Sequence, residues 1–323
     1  MFRKHSSQSQ VGAVPAPPTK LRRVFDLDSL SGVLVALASP VTRDGAIDEA
    51  ATARLVDHVL AGGVQGVLAL GSTGETASLD EPSRRRLLAA VVKAAGGNVP
   101  VFCGVAQPQL SVARAEIEAA ARLGADAALV APPFYYPTDQ AGVLGFFRQV
   151  AEGSALPIFV YNIPQFTKVT VEPATLASLA HEGTVQGIKD SSRDFEYFEA
   201  VCMATRDLPA FRVFTGSDTM LLASLAVGGA GTICGAANIA PALVVRIYDE
   251  YRRGDLAAAR RSQDELYELV MAVRDGVFPL AIKAALQMLG VCEPWSAPPV
   301  RALDDQAQTR LRERMTRLSL LRD

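Results

Sequence analysis

Eight short apolar runs, at 33–38, 67–70, 101–105, 127–131, 158–161, 185–188, 213–215 and 231–234, recur along the 323-residue chain, most of them followed by a helical pattern. The runs begin roughly 20 to 35 residues apart, the length of one strand, one helix and two loops. They are apolar throughout instead of alternating, as expected for parallel strands covered on both faces. Eight such units predict an α/β chain folded as a closed (β/α)8 TIM barrel. An open doubly wound sheet is the competing arrangement, but its dinucleotide fingerprint is absent. The nearest match, Gly229-Ala230-Gly231, precedes a strand where the fingerprint would follow one.

Helix signals fill the intervals. Asp48 opens a helix that ends before Gly62-Gly63, and Asp80-Glu81-Pro82 leads into one over 84–95. A third, over 111–123, stops at Gly124, and prolines open those over 173–180 and 241–253. Beyond Gly254 the pattern is purely helical, over 256–274, 279–289 and 304–321. The chain therefore divides into a flexible tail (1–28), a catalytic barrel (29–254) and a C-terminal helical extension (255–323) packed against the barrel. The tail is rich in Ser, Gln and Pro and carries no apolar stretch of signal-peptide type.

Composition removes several classes. With 49% apolar and 20% charged residues and a net charge of −2, a soluble globular chain with no pull toward nucleic acid is expected, and the cytoplasm is the expected compartment. The uncharged stretch 219–245 is broken by glycines, Asn238 and Pro241, so it reads as buried barrel and not as a membrane span. Cys103, Cys202, Cys234 and Cys292 form no CxxC pair and are expected as buried free thiols. His5, His58 and His181 are too scattered for a ligand set, so no metal is expected.

Barrels of this kind carry their chemistry at the C-terminal ends of the strands. Of six lysines, against 26 arginines, only Lys189 directly ends an apolar run. Partial desolvation there would lower its pKa and free the amine to attack a carbonyl, although pairing with Asp190 would give the same placement. Tyr161 ends the fifth run, either to move a proton or as a core aromatic. In Gly71-Ser72-Thr73-Gly74-Glu75 the glycines would admit a ligand and the hydroxyls and N–H groups hold a carboxylate, unless this is an ordinary βα turn. Pro132-Pro133-Phe134-Tyr135-Tyr136-Pro137 is a rigid aromatic loop suited to a lid, a subunit contact or plain packing. All four fall at strand ends of one barrel, and together they point to a site.

Gly71-Ser72-Thr73-Gly74-Glu75, Tyr161-Asn162-Ile163-Pro164 and Gly187-Ile188-Lys189, in this order, resemble the signatures of the dihydrodipicolinate synthase/N-acetylneuraminate lyase family, from about residue 32 to the C-terminal helices. The resemblance implies a pyruvate-dependent Schiff-base aldolase, usually a homotetramer built as a dimer of dimers, with no cofactor beyond the covalent imine of pyruvate with Lys189. Carried over, Lys189 forms the imine, Tyr161 transfers protons, and Ser72 and Thr73, with Gly71, hold the pyruvate carboxylate. Tyr135 is the candidate for the catalytic tyrosine that family members lend to an adjacent subunit. Gly216, Ser217, Asp218 and Ile233 complete the expected substrate lining, with Asp190, Ser191 and Ser192 at the mouth. Synthases of the family carry an arginine where this chain has Phe166, and Lys168 is the nearest substitute for that carboxylate clamp.

These departures favour cleavage or formation of a 2-keto-3-deoxy acid at C3–C4, with pyruvate and an aldehyde as partners. The alternatives are 4-hydroxy-tetrahydrodipicolinate synthase, a keto-deoxy sugar acid dehydratase acting through the same imine, and a non-catalytic sensor barrel.

Overall fold

A computed structural model describes residues 25–298 and 303–321. Its eight strands are β1 (Gly32–Ala36), β2 (Gly66–Ala69), β3 (Val101–Val105), β4 (Ala127–Val130), β5 (Ile158–Asn162), β6 (Gly187–Asp190), β7 (Arg212–Thr215) and β8 (Gly231–Cys234). Each pairs in parallel with its sequence neighbour, and β8 pairs with β1 to close the barrel. The expected (β/α)8 barrel is therefore the fold. Around it lie α1 (Glu49–Ala61), α2 (Glu81–Ala95), α3 (Leu110–Leu123), α4 (Gln140–Ala151), α5 (Pro164–Thr167), α6 (Pro173–His181), α7 (Phe195–Ala204), α8 (Leu221–Ala226) and α9 (Pro241–Arg252). The C-terminal extension supplies α10 (Leu256–Arg274), α11 (Leu280–Met288) and α12 (Asp305–Arg317). Of the tail expected over 1–28, residues 1–24 lie outside the described residues, and Leu27–Ser29 form a 3-10 turn capped by Asp26.

Local chemistry sets the helix starts. The side chains of Asp48, Asp80, Asp139, Asp194, Asp255 and Asp304 each accept a hydrogen bond from the backbone N–H three residues on. Such caps satisfy donors that the helix leaves open and are each worth about 1 kcal/mol. Two of them, Asp139 and Asp194, begin α4 and α7, helices that the apolar runs alone do not delimit.

Successive side chains in a strand point to opposite faces, which sorts the barrel residues into two sets. Leu34, Leu68, Phe102, Leu129, Phe159, Phe214 and Ile233 fill the interior. Val35, Val67, Val101, Val160, Ile188 and Val213 face the helices. Phe102 and Phe159 meet edge to face with centroids 4.9 Å apart. Full burial of each such ring contributes about 1.5–3 kcal/mol. Tyr161 lies two residues beyond Phe159 and so shares its inward face. Lys189 is in register with Tyr161 on one side and Phe214 on the other. The lysine thus stands on top of an apolar plug, at the end of the barrel where the strands finish.

The extension is anchored to that same end. Lys283 of α11 is fully buried and pairs with Glu75, the last residue of the turn after β2. Lys283 Nζ also donates to Trp295 O at 2.5 Å, and the Ala297 N–H donates to Glu75 Oε2 at 3.0 Å. Arg54 Nε of α1 donates to Val291 O at 3.0 Å. All four cysteines are free and buried, as expected, and burial pushes the Cys103 thiol up to about 12. Among the described residues no helix is long and apolar enough to cross a membrane.

Candidate active site

β6 runs two residues further than the apolar pattern suggests, so Lys189 belongs to the strand and is 4% exposed. Its ammonium makes no pair with Asp190. The neighbouring carboxylate points to the helix side, where Asn162 Nδ2 donates to Asp190 Oδ1 at 2.8 Å and the N–H and hydroxyl of Ser192 donate at 3.0 and 2.9 Å. Burial pushes the Asp190 carboxyl above its ordinary range, although these hydrogen bonds oppose the shift. Strand alternation explains the split: adjacent residues of β6 face opposite ways, so Lys189 and Asp190 cannot share a site. Asp190 and Ser192 therefore leave the expected mouth, while Ser191 stays in it.

Lys189 Nζ donates to Tyr161 Oη at 3.4 Å and lies 4.5 Å from the centre of the same ring. Tyr161 Oη in turn shares a hydrogen bond of 3.3 Å with Ser72 Oγ. The three groups form a chain of exchangeable protons on the floor of a cavity of about 440 Å³. Ser72, Thr73, Tyr161, Phe166 and Lys189 all line this cavity, as do Gly216, Ser217, Asp218 and Ile233. Five strands, β2, β5, β6, β7 and β8, thus bring these expected residues to one place.

The turn over 71–75 is bracketed by two residues in the left-handed region. These are not its glycines but Leu70 (φ 61°) and Glu75 (φ 54°). Left-handed backbone at non-glycine residues costs roughly 1 kcal/mol or more and persists where surroundings enforce it. The glycines are needed for space. A Cβ on Gly74 would come 3.0 Å from Leu37 O, and one on Gly71 would come 3.0 Å from Leu68 Cδ2. Gly71 is not among the residues lining the cavity, while Ser72 and Thr73 beside it are.

Gly216 also serves by its lack of a side chain. A Cβ there would sit 2.0 Å from Ser191 Oγ and 2.8 Å from Lys189 Cε. Asp218 lines the cavity, but one of its oxygens accepts from the Ala236 N–H at 2.8 Å and so fixes the loop after β8.

Lys168 does not replace the missing arginine. It caps α5 with φ 59°, and Nζ donates back to Gln165 O at 2.9 Å, away from the cavity. Phe166 projects at the mouth, 56% exposed, with its ring 6.2 Å from that of Phe278. Tyr135 is 85% exposed and Tyr136 77%, the two rings meeting edge to face at 5.1 Å. Tyr135 does not line the cavity of its own chain.

A second group of lining residues escapes a search confined to strand ends. Val270, Val273 and Arg274 of α10, Phe278, and Ile282 of α11 roof the cavity, and Arg193 adds to its rim from the loop after β6. Among the described residues no three His, Cys, Asp or Glu side chains are grouped to hold a metal ion.

The profile of the dihydrodipicolinate synthetase family matches residues 29–318. An uncharacterised DapA-like lyase of Halobacterium salinarum is 37% identical over 292 residues, covering 90% of this chain and 95% of the relative. A 4-hydroxy-tetrahydrodipicolinate synthase of Methanopyrus kandleri is 34% identical over 294 residues, covering 90% and 97%. Among solved structures, YagE of Escherichia coli K12, a protein of the dihydrodipicolinic acid synthase family crystallised with pyruvate, superposes with a TM-score of 0.86 at 28% identity, covering 90% of this chain and 99% of its own.

Proposed function

Because the chain belongs to the dihydrodipicolinate synthetase family of lyases, we propose that it cleaves or forms a 2-keto-3-deoxy acid at C3–C4 through an imine on Lys189. The observation that carries this reading is the pairing on the cavity floor. A nearly buried lysine, paired with no carboxylate among the described residues, has its Nζ 3.4 Å from the hydroxyl of Tyr161.

In the cleavage direction the neutral Nζ attacks C2 of the keto acid. The carbonyl oxygen leaves as water, and the Tyr161 hydroxyl gives its proton to the nitrogen, leaving a protonated imine beside a tyrosinate. Tyr161 accepts the proton of the C4 hydroxyl. The C3–C4 bond breaks, its electrons enter the imine to give an enamine, and the aldehyde departs. C3 then takes up the proton that C4 gave, and water releases pyruvate from Lys189. No redox partner or further cofactor enters this balance. Ser72 and Thr73 hold the substrate carboxylate, and Ser72 Oγ, 3.3 Å from Tyr161 Oη, keeps that hydroxyl aimed at the reacting atoms.

Incubation with pyruvate and borohydride, followed by a peptide map, tests the reading. Reduction should fix an N-(1-carboxyethyl) group on Lys189, absent from Lys189→Ala; an unlabelled wild type removes the imine mechanism. A second reading, as 4-hydroxy-tetrahydrodipicolinate synthase, is supported by relatives such as the Methanopyrus protein. It requires turnover of pyruvate with aspartate semialdehyde, for which Phe166 offers no bidentate clamp.

The exposed Tyr135–Tyr136 pair supports assembly as a homotetramer, with Tyr135 entering the proton relay of a neighbouring copy. Sedimentation equilibrium of wild type and Tyr135→Ala tests that assembly, and a monomeric wild type removes it.

A further inference from the structure

The charges around the cavity do not balance. Three lining residues are cationic, Lys189, Arg193 and Arg274, and one is acidic, Asp218. In the reading above, the protonated imine on Lys189 is matched by the carboxylate of the bound keto acid. Asp218 offsets one of the arginines. One positive charge stays unmatched, and it lies at the mouth and not on the floor.

Both guanidiniums are also without partners. Neither Arg193 nor Arg274 makes a salt bridge or a side-chain hydrogen bond among the described residues. Burial, and the repulsion of Arg193, together hold Arg274 below the ordinary arginine range, with Asp218 opposing them. Arg274 is the last residue of α10, where the negative end of the helix tempers its charge. Arg193 is held with φ 66°, a left-handed conformation that costs a non-glycine residue energy and recurs at ligand clamps. Two like charges from separate elements, turned to one cavity with only Asp218 to offset them, suit an anion that arrives with the ligand. Phe166 and Phe278, both partly exposed, give that mouth an apolar wall beside the two guanidiniums.

Resting on the imine reading, we propose that Arg193 and Arg274 clamp an anionic group, a carboxylate or a phosphate, at the far end of the substrate chain. The aldehyde partner is then itself an anion. The clamp comes from the loop after β6 and from the C-terminal extension, and not from the segment that follows Tyr161-Asn162-Ile163-Pro164.

The test uses the full chain, wild type and the double variant R193Q/R274Q, with two matched aldehyde pairs. Glyceraldehyde and glyceraldehyde 3-phosphate differ by the phosphate, and butanal and succinic semialdehyde by a terminal carboxylate. A separate sample of each protein is tested for trapping of pyruvate by borohydride, and the untreated protein is used for the kinetics. In the wild type, kcat/KM for one charged aldehyde should exceed that for its neutral partner by about tenfold or more, the usual scale of a charge-assisted clamp. That ratio should collapse toward one in the double variant, and the pair that shows it identifies the anion. Should the double variant fail to trap pyruvate, R193Q and R274Q singly carry the same ratio. A wild type that does not prefer either charged aldehyde, or a preference that survives the substitutions, overturns the clamp while the imine stands. A wild type that traps no pyruvate defeats the imine reading, and the clamp with it.

Discussion

Lys283→Met should be the most damaging single change outside the proposed catalytic set. The Lys283 side chain is 0% exposed and that of Glu75 is 3% exposed. Among the described residues Glu75 Oε1 has no partner other than that ammonium, and Oε2 is taken by the Ala297 N–H. Removing the lysine leaves a carboxylate in a dry interior, and breaking a buried pair in this way costs about 3–5 kcal/mol. The unfolding entropy of globular chains, about 2 cal/mol/K per residue, gives ~0.7 kcal/mol/K at this length. The single variant should therefore melt about 4–7 °C below wild type, compared by calorimetry at one protein concentration. Replacing both partners with apolar residues of similar size, Glu75→Leu with Lys283→Met, should recover much of the loss, because no charge is then left alone. There is a functional arm as well. Glu75 is held at φ 54° as the last residue of the turn that presents Ser72 and Thr73. Loosening it should slow pyruvate trapping in the single variant. Burial pulls the Lys283 ammonium below its ordinary range while Glu75 pulls it up, the signature of a pair that depends on its partner. A single variant that melts with wild type, or a double variant no better than the single, would refute the reasoning.

Tyr161→Phe should lower kcat by about 10²–10⁴ while borohydride still fixes pyruvate on Lys189, separating proton transfer from imine formation. Gly216→Ala should abolish or strongly slow that trapping, read by intact mass, since the new methyl must displace Lys189 Cε and Ser191 Oγ. The Asp190 carboxyl, raised by burial, binds its proton more readily folded than unfolded. It therefore subtracts stability above its folded pKa and returns it as the pH falls through that value toward 3.8. Asp190→Asn removes this gain, so its urea midpoint should fall faster than that of wild type on acidification; parallel curves would show that Asp190 carries no such linkage.

The barrel was legible because its signal is local and repeated: each strand needs only a short apolar run, and each helix a cap such as Asp48 or Asp80. Lys189 and Tyr161 were legible for a related reason, since a lysine or tyrosine that interrupts such a run has few ways to be buried without a task. The orientation of their neighbours was not legible. Asp190 follows Lys189 in sequence yet faces the opposite side of the sheet, and only the observed extent of β6 reveals it, because a strand boundary moved by one residue exchanges the two faces. Lys168 shows the same limit in a loop, where a left-handed cap turns its ammonium back onto Gln165. The roof of the cavity was hidden more deeply. Arg274 and Ile282 lie on helices whose sequence records an apolar face in α10 and a largely apolar run in α11, not which part of the barrel each covers. That information resides in long-range contacts, above all the Glu75–Lys283 pair, which joins the turn after β2 to α11 across more than 200 residues. The consequence reaches function. In the proposed reading the floor of the site, where bonds break, is written in the strands, whereas the mouth and roof, where substrates are told apart, are assembled from barrel loops and the extension together. Chains sharing the three motifs can therefore share the imine chemistry and still differ in the aldehyde they accept, and the residues to vary in following that difference are those of the roof.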